Sequence, residues 1–471
     1  MRHSMHIRGS SLGRTARSRN ALAPVAVAAL VAAMTASCSI FDTDVTNPNA
    51  VSEDALDAAS SAPPLVNGLA ASVTRALTGV YGPYSVGSDE LTWVGSREHW
   101  GWLDAGDVSF PLNEYIDTSF PFMTEARWLS NYTIEKLEGF DQASTLRDRS
   151  GLARSYIYGA VAYITIGDMY DDFVLGSDRT EPAPPVGAQN MAVMYDSAVA
   201  FLDRALPIAV ALNNNTLRAQ ILGLRARAKH AKAVWALLKP ARATPSNPLV
   251  NNPGASADAT AALAIMSGNY AFKLLPVTGS TASISMASEM NSRQEIRAGD
   301  VYVNPADPNR PTTIAAGLAG IKLRDPVTNQ PDAVLARTID ECCRVSSTTL
   351  TPFTIVSAKE MHLILAEAAL AQNNTTEFRT RINSARALEA MPPWDGTTPA
   401  ARDMLIYSRQ VYLFLQGRRL HDMYRFGVKD AKWLPSNIAS KKACFFPIPA
   451  IERRTNALVN ELPEARPTYC S

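Results

Sequence analysis

Three of the seven tryptophans, Trp93, Trp100 and Trp102, fall within ten residues of one another. Tyr81, Tyr84 and Tyr115 flank them, with Asp89, Glu90, Arg97, Glu98, His99 and Asp104 interleaved. Aromatic faces stack on sugar rings or amino-acid side chains, and neighbouring charges fix the orientation of what is bound. The segment has no clean helical period. It therefore reads as a recognition loop, with Trp93, Trp100, Trp102, Tyr81, Tyr84 and His99 as candidate ligand contacts. The competing reading is that these rings cement the loop onto the body.

Catalytic constellations are missing from the sequence. Residues 38–471 hold no His-Glu-x-x-His, no phosphate-binding Gly-rich loop ending in Lys-Ser/Thr, no Gly-x-Ser-x-Gly and no Gly-x-Gly-x-x-Gly. His99, His230, His362 and His421 are widely spaced and make no metal-ligand pattern. Asp168, Asp171 and Asp172 could hold calcium or supply a glycosidase acid, but their place at the end of a buried helix reads as a turn with solvated carboxylates. DPVTNQPD (325–332) offers oxygen ligands without calcium-loop spacing. The expectation is a binding protein without metal or cofactor rather than an enzyme. A hydrolase built on a carboxylate pair would leave no local motif, so an exported helical glycoside hydrolase is the runner-up.

Export is written into the first forty residues. Arg2, Arg8, Arg14, Arg17 and Arg19 precede the apolar run 21–34, and small residues lead to Cys38. Basic, apolar, small is the order of a secretory signal. The Cys after a small residue looks like a lipobox, although Thr35 stands where a Leu-type residue is usual. Residues 1–37 are expected to leave and Cys38 to carry lipid. Removing those five arginines and no acid turns 45 basic against 44 acidic residues into 40 against 44. The near-balance argues against a nucleic-acid surface. Residues 38–50 are turn-rich and suit a tether. Ser39, by analogy with lipoprotein sorting, favours the outer membrane. No later apolar run reaches the length of a membrane helix. Export also permits disulfides. The adjacent Cys342 and Cys343 have Cα atoms about 3.8 Å apart across a trans peptide, below the usual disulfide span. Bonds from this pair to Cys444 and Cys470 are therefore expected.

The elements that must hold these residues are mostly helical. Leu65, Leu69, Val73 and Leu77 mark one face of a helix over 63–78. Further helices are predicted over 121–140, 151–170, 190–206, 216–239, 258–274, 358–372, 375–390 and 399–426. They fall into pairs: 151–170 with 190–206, 216–239 with 258–274, and 358–372 with 375–390. Such pairs are tetratricopeptide-like, without the full repeat signature. An envelope scaffold of that type is a third functional reading. Strand candidates are short: 108–110, 301–303 and 321–323. The stretches 79–118 and 276–355 read as long irregular loops. The fold class is mainly α, and 51–471 forms the body.

The C-terminal third carries a series of motifs. Ala366-Glu367-Ala368 ends an apolar helix within 353–370. Asn383 and Arg386 form Asn-x-x-Arg. Gly417, Arg419, Asp422 and Arg425 form Gly-x-Arg and Asp-x-x-Arg. Pro447-Ile448-Pro449 precedes Glu452 and Asn456. Arg409, Arg418, Arg419 and Arg425 carry guanidinium groups that can grip carboxylates, with Asp422 in i,i+4 reach of Arg418. This series resembles the RagB/SusD family of outer-membrane nutrient-binding lipoproteins. Asn47-Pro48-Asn49 and the Trp128-x-x-x-Tyr132 helix agree more loosely, and Ser408 and Gln416 stand where that family often has Glu. The resemblance implies a SusD-like helical fold, with the motif residues framing the architecture. It also implies a surface-exposed, lipid-anchored protein that binds a glycan or peptide and acts as a lid on a SusC-like TonB-dependent transporter.

Overall fold

The computed structural model describes residues 53–176, 181–239, 241–276, 285–343 and 352–470. The signal segment, Cys38 and the tether lie outside the described residues. No helix among the described residues is long and apolar enough to cross a membrane.

The body opens with α1 (Ala62–Gly87), β1 (Leu91–Trp93), α2 (Glu98–Asp104) and α3 (Glu114–Gln142). Pro63 and Pro64 fill the first turn of α1, where a missing N–H breaks no helical hydrogen bond. α1 runs nine residues beyond the predicted end at 78. Gly79, Gly82 and Pro83 hide the period there, yet Val80, Tyr81, Tyr84 and Val86 are all buried. Packing outweighs intrinsic propensity.

Next come α4 (Arg149–Met169), α5 (Val193–Ala211), α6 (Asn215–Leu238) and α7 (Pro253–Leu263). Asp148, Asn214 and Asn252 cap α4, α6 and α7, each accepting a backbone N–H of the first turn. The following elements are β2 (Ala271–Leu274), β3 (Ile296–Ala298), β4 (Pro305–Asp307), β5 (Arg310–Ile314) and α8 (Ala333–Cys342). The chain closes with β6 (Phe353–Ser357), α9 (Ala358–Ala371), α10 (Thr375–Ala387), α11 (Ala401–Tyr412), α12 (Arg419–Phe426) and α13 (Ala450–Thr455).

The helix pairs predicted from spacing are formed: α4 packs on α5, α6 on α7 and α9 on α10. α5 also packs on α6, and α1 on α3. One large apolar core threads through them. A smaller one lies among α6, α7 and α9, where Ala226, Ala259, Met361 and Ile364 meet.

Strands differ from expectation. Residues 108–110 are not a strand, and 301–303 meets 321–323 in an isolated bridge between Val303 and Ile321, with Tyr302 accepting from the Lys322 N–H at 2.8 Å, rather than as paired strands. The predicted helix over 258–274 stops at Leu263, and 271–274 pairs with 353–357 as antiparallel β2 and β6. Phe353, Ile355 and Val356 favour a strand, but the partner lies some eighty residues away, beyond any local period.

The expected helix over 399–426 is two helices. Leu415 (φ 56°) and Gly417 (φ 69°) turn the chain between α11 and α12. A Cβ on Gly417 would sit 2.8 Å from the Met169 methyl carbon, so this left-handed turn against α4 requires glycine. The disulfides also differ. Cys444 bonds Cys470, with Cα atoms 6.1 Å apart. That removes both expected partners of Cys342 and Cys343, which are joined to each other.

Candidate ligand-binding site

The motif residues converge inside the body. Glu367 on α9 accepts from the Val250 N–H at 2.8 Å, from His230 Nε2 at 3.0 Å and from Arg425 Nη2 at 3.1 Å. Arg425 also donates to Asp422 at 2.9 Å and to the Pro248 carbonyl at 2.9 Å. Arg409 reaches Asp422 at 2.8 Å. All are buried. Burial pushes the Glu367 carboxyl up, but Arg425 and His230 outweigh it and hold the group well below its ordinary value. Asp422 is likewise held low by Arg409 and Arg425 against its burial.

Three other motif positions close long-range contacts. Arg419 grips Asp89 with two bonds of 2.7 and 2.6 Å, and Tyr302 donates to the same carboxylate. Arg386 grips Asp325 at 2.8 and 3.0 Å, and Asn383 exchanges two bonds with the Trp394 backbone. Pro447 and Pro449 follow Phe446, whose backbone hydrogen-bonds Met169 and Asp171. Glu452 accepts from Asn456 at 2.7 Å.

Arg418 does not pair with Asp422 as spacing suggested. The break at Gly417 turns it to Asp168 on α4. Nor are Asp168, Asp171 and Asp172 solvated: all three are buried. Asp168 also accepts from Tyr195. Asp171 is held by Lys239, Arg242 and the Phe445 N–H. Asp172 accepts from the N–H groups of Phe173 and Gly187. Asp171, Cys444 and Cys470 lie close enough to suggest a metal, but the sulfurs bond each other and two cations occupy the carboxylate.

The aromatic segment divides into an inner and an outer set. Tyr81 and Tyr84 are core residues of α1, and Tyr84 Oη bonds His421 Nδ1 at 2.9 Å. Trp100 is 1% exposed. It stacks on Tyr115 with centroids 3.7 Å apart, and its indole N–H reaches Glu289 at 3.3 Å. These three candidates are structural: the extension of α1 and the inward face of α2 bury them. Two residues apart on a helix point about 200° apart. Trp102 accordingly leaves the core and is partly exposed. His99, also partly exposed, stacks on it with centroids 4.1 Å apart, and Phe110 meets Trp102 edge-on at 5.4 Å. The Glu114 N–H donates to His99 Nδ1 at 2.8 Å. That contact makes Nδ1 an acceptor and leaves the ring proton on Nε2.

This outer set stands on a clasped loop. Glu295 accepts from the backbone N–H groups of Ser96 and Arg97 at 2.8 and 2.9 Å, and from Ser96 Oγ at 3.1 Å. β1 pairs with β3 beside it. Trp93, partly exposed, lies against Gly101, where a Cβ would come within 2.9 Å of the ring. The sequence reading missed Glu295, Glu289 and Phe110. The two acids lie almost two hundred residues from the groups they hold, and no spacing announces them.

Glu90 sits beneath this loop. Burial pushes its carboxyl up to about 8, although the Leu415 N–H donates to it at 2.7 Å and Ser85 at 3.1 Å. A carboxyl raised on folding leaves stability intact below its unfolded value and removes it as pH rises through the folded value. Wild-type stability should therefore fall between about pH 4.5 and pH 8 by a few kcal/mol through this group. Glu90→Gln should flatten that part of the profile, as read by denaturant titration across pH. An unchanged slope would show that Glu90 is already ionised in the fold.

No family model and no curated protein matches the sequence. Solved structures do match in fold. A SusD homologue from Bacteroides thetaiotaomicron superposes with a TM-score of 0.57 at 14% identity, covering 88% of this chain and 99% of its own. A laminarin-binding SusD-like protein gives 0.50 at 12% identity, over 85% and 99%. A protein solved with a xylogluco-oligosaccharide gives 0.54 at 13% identity, over 84% and 98%. The chain thus has the SusD-like fold. This is the fold that the resemblance of the C-terminal motifs implied.

Proposed function

We propose that this protein is a glycan-binding lipoprotein of the outer membrane, anchored through Cys38 and working as the lid of a SusC-like TonB-dependent transporter. The observation that carries the binding reading is the partly exposed Trp102–His99 stack beside Phe110, fixed on a loop that Glu295 clasps. A rigid aromatic face with a ring N–H at its edge suits a sugar ring, whose C–H face stacks and whose hydroxyls accept. Two structural neighbours are described with laminarin and with a xylogluco-oligosaccharide, which favours a glycan over a peptide. Two acids of the segment, Asp89 and Asp104, are buried and bonded to Arg419 and Thr92, which removes them as a hydrolytic pair. Titration of the protein with oligosaccharides tests this reading.

Anchoring and partnership have their own tests. Cys38→Ala should abolish lipid labelling and release the protein from membranes, whereas unchanged labelling would remove Cys38 as the anchor. Extraction in mild detergent should bring down a large outer-membrane β-barrel with the protein. Recovery as a free monomer in several detergents, with oligosaccharide present, would contradict the lid.

A further inference from the structure

Four helices bring charged side chains to one point inside the body. α4 supplies Asp168, α6 Arg227, α9 Glu360 and the start of α12 Arg418, and all four are buried. They line an internal cavity of about 10 Å³, close to the smallest volume that holds one water molecule.

The bonds around this cavity leave a defined remainder. Arg227 gives its two terminal nitrogens to the carbonyls of Ile355 and Gln416. Its Nε faces Glu360 at 3.6 Å, too far for a direct hydrogen bond. Arg418 gives Nη1 to Asp168, and its Nε lies 3.7 Å from Glu360. Arg227 Nε, Arg418 Nε and Nη2, and Glu360 Oε2 are thus buried with no hydrogen-bond partner among the described residues. Ser357-Ala-Lys-Glu360 has capping-box spacing, and Ser357 Oγ does accept from the Glu360 N–H at 3.2 Å. The Glu360 carboxylate nonetheless faces the guanidinium groups.

Charge decides what the cavity can take. Arg227, Arg409, Arg418 and Arg425 stand against Asp168, Glu360, Glu367 and Asp422. His230 and His421 are pushed down by burial, His421 to about 4, so both are neutral at pH 7. The cluster is balanced, so an added anion or cation would be left without a counter-charge. A ligand that is neutral, of one heavy atom, and both donor and acceptor meets every requirement.

We propose that this junction is a binding site for a single water molecule, which accepts from Arg418 and Arg227 and donates to Glu360. The water then joins α6, α9 and α12 behind the Gly417 turn, completing hydrogen bonds that the side chains cannot make to each other.

Diffraction from wild-type crystals grown in chloride and again in bromide tests this directly. The expected result is one density peak within hydrogen-bond distance of Arg418 and Glu360, with no anomalous bromide signal. A bromide peak there would make the site an anion site, and the absence of a peak at a resolution that orders other internal waters would also overturn the proposal. Glu360→Gln keeps an acceptor and should retain the peak, while Glu360→Leu should lose it. Loss in the Gln variant, or retention in the Leu variant, would contradict Glu360 as the water's acceptor. If the Leu variant does not fold, the wild-type and Gln crystals still decide.

Discussion

Arg425→Ala is expected to lower the stability of the folded body by about 3–5 kcal/mol, because it leaves Glu367 buried without its principal cation and takes from Asp422 one of its two. Three nitrogens of Arg425 are committed, to two carboxylates and a backbone carbonyl. Lysine cannot reproduce that fork, so Arg425→Lys should recover little. Replacing both ends, as Glu367→Gln with Arg425→Met, should cost less than the sum of the singles, since no lone charge remains. The pH dependence has a definite sign. Glu367 and Asp422 are held below their ordinary values, so their stabilisation is present above the unfolded carboxylate range and is lost as pH falls through the lower folded values. Arg425→Ala should therefore unfold at a pH nearer neutrality than wild type. A loss under about 1 kcal/mol in a denaturant titration would mean the network is no more than a surface pair in effect.

The second large effect separates two tryptophans that lie two residues apart. Trp100→Ala empties a site closed by Tyr115 and Glu289 and should cost about 3–5 kcal/mol of stability. Trp102→Ala removes a partly exposed ring and should leave the melting temperature almost unchanged. A stacking contact is worth about 0.5–1.5 kcal/mol beyond buried area, so oligosaccharide affinity should fall about two- to tenfold. Reversed outcomes, with Trp102 stabilising and Trp100 binding, would invert the assignment of faces on α2.

Sequence pattern carried the helices because apolar residues recur at a 3.6-residue period, as Leu65, Leu69, Val73 and Leu77 do on α1, or fill most sides, as on α4. It carried Glu367 and Arg425 as a motif series, but not that they touch, which depends on the crossing of α9 and α12. The strands escaped because β1–β3 and β2–β6 join segments far apart in the chain. Tyr81 and Tyr84 looked like loop residues because Gly79, Gly82 and Pro83 mask a helix that burial sustains. Trp100 and Trp102 could not be sorted until the phase of α2 was known. The acidic triplet at the end of α4 looked solvated because the cations of Asp168 and Asp171, namely Arg418, Lys239 and Arg242, come from distant elements.

The central claim is that this SusD-like body binds a glycan on the Trp102–His99 face. Isothermal titration of the full mature protein with a series of glucan and xyloglucan oligosaccharides, and with peptides as a parallel series, tests it most directly. The account expects saturable binding to at least one oligosaccharide, weakened about two- to tenfold by Trp102→Ala at unchanged melting temperature. Binding of peptides alone, or oligosaccharide binding that Trp102→Ala leaves untouched, would contradict it.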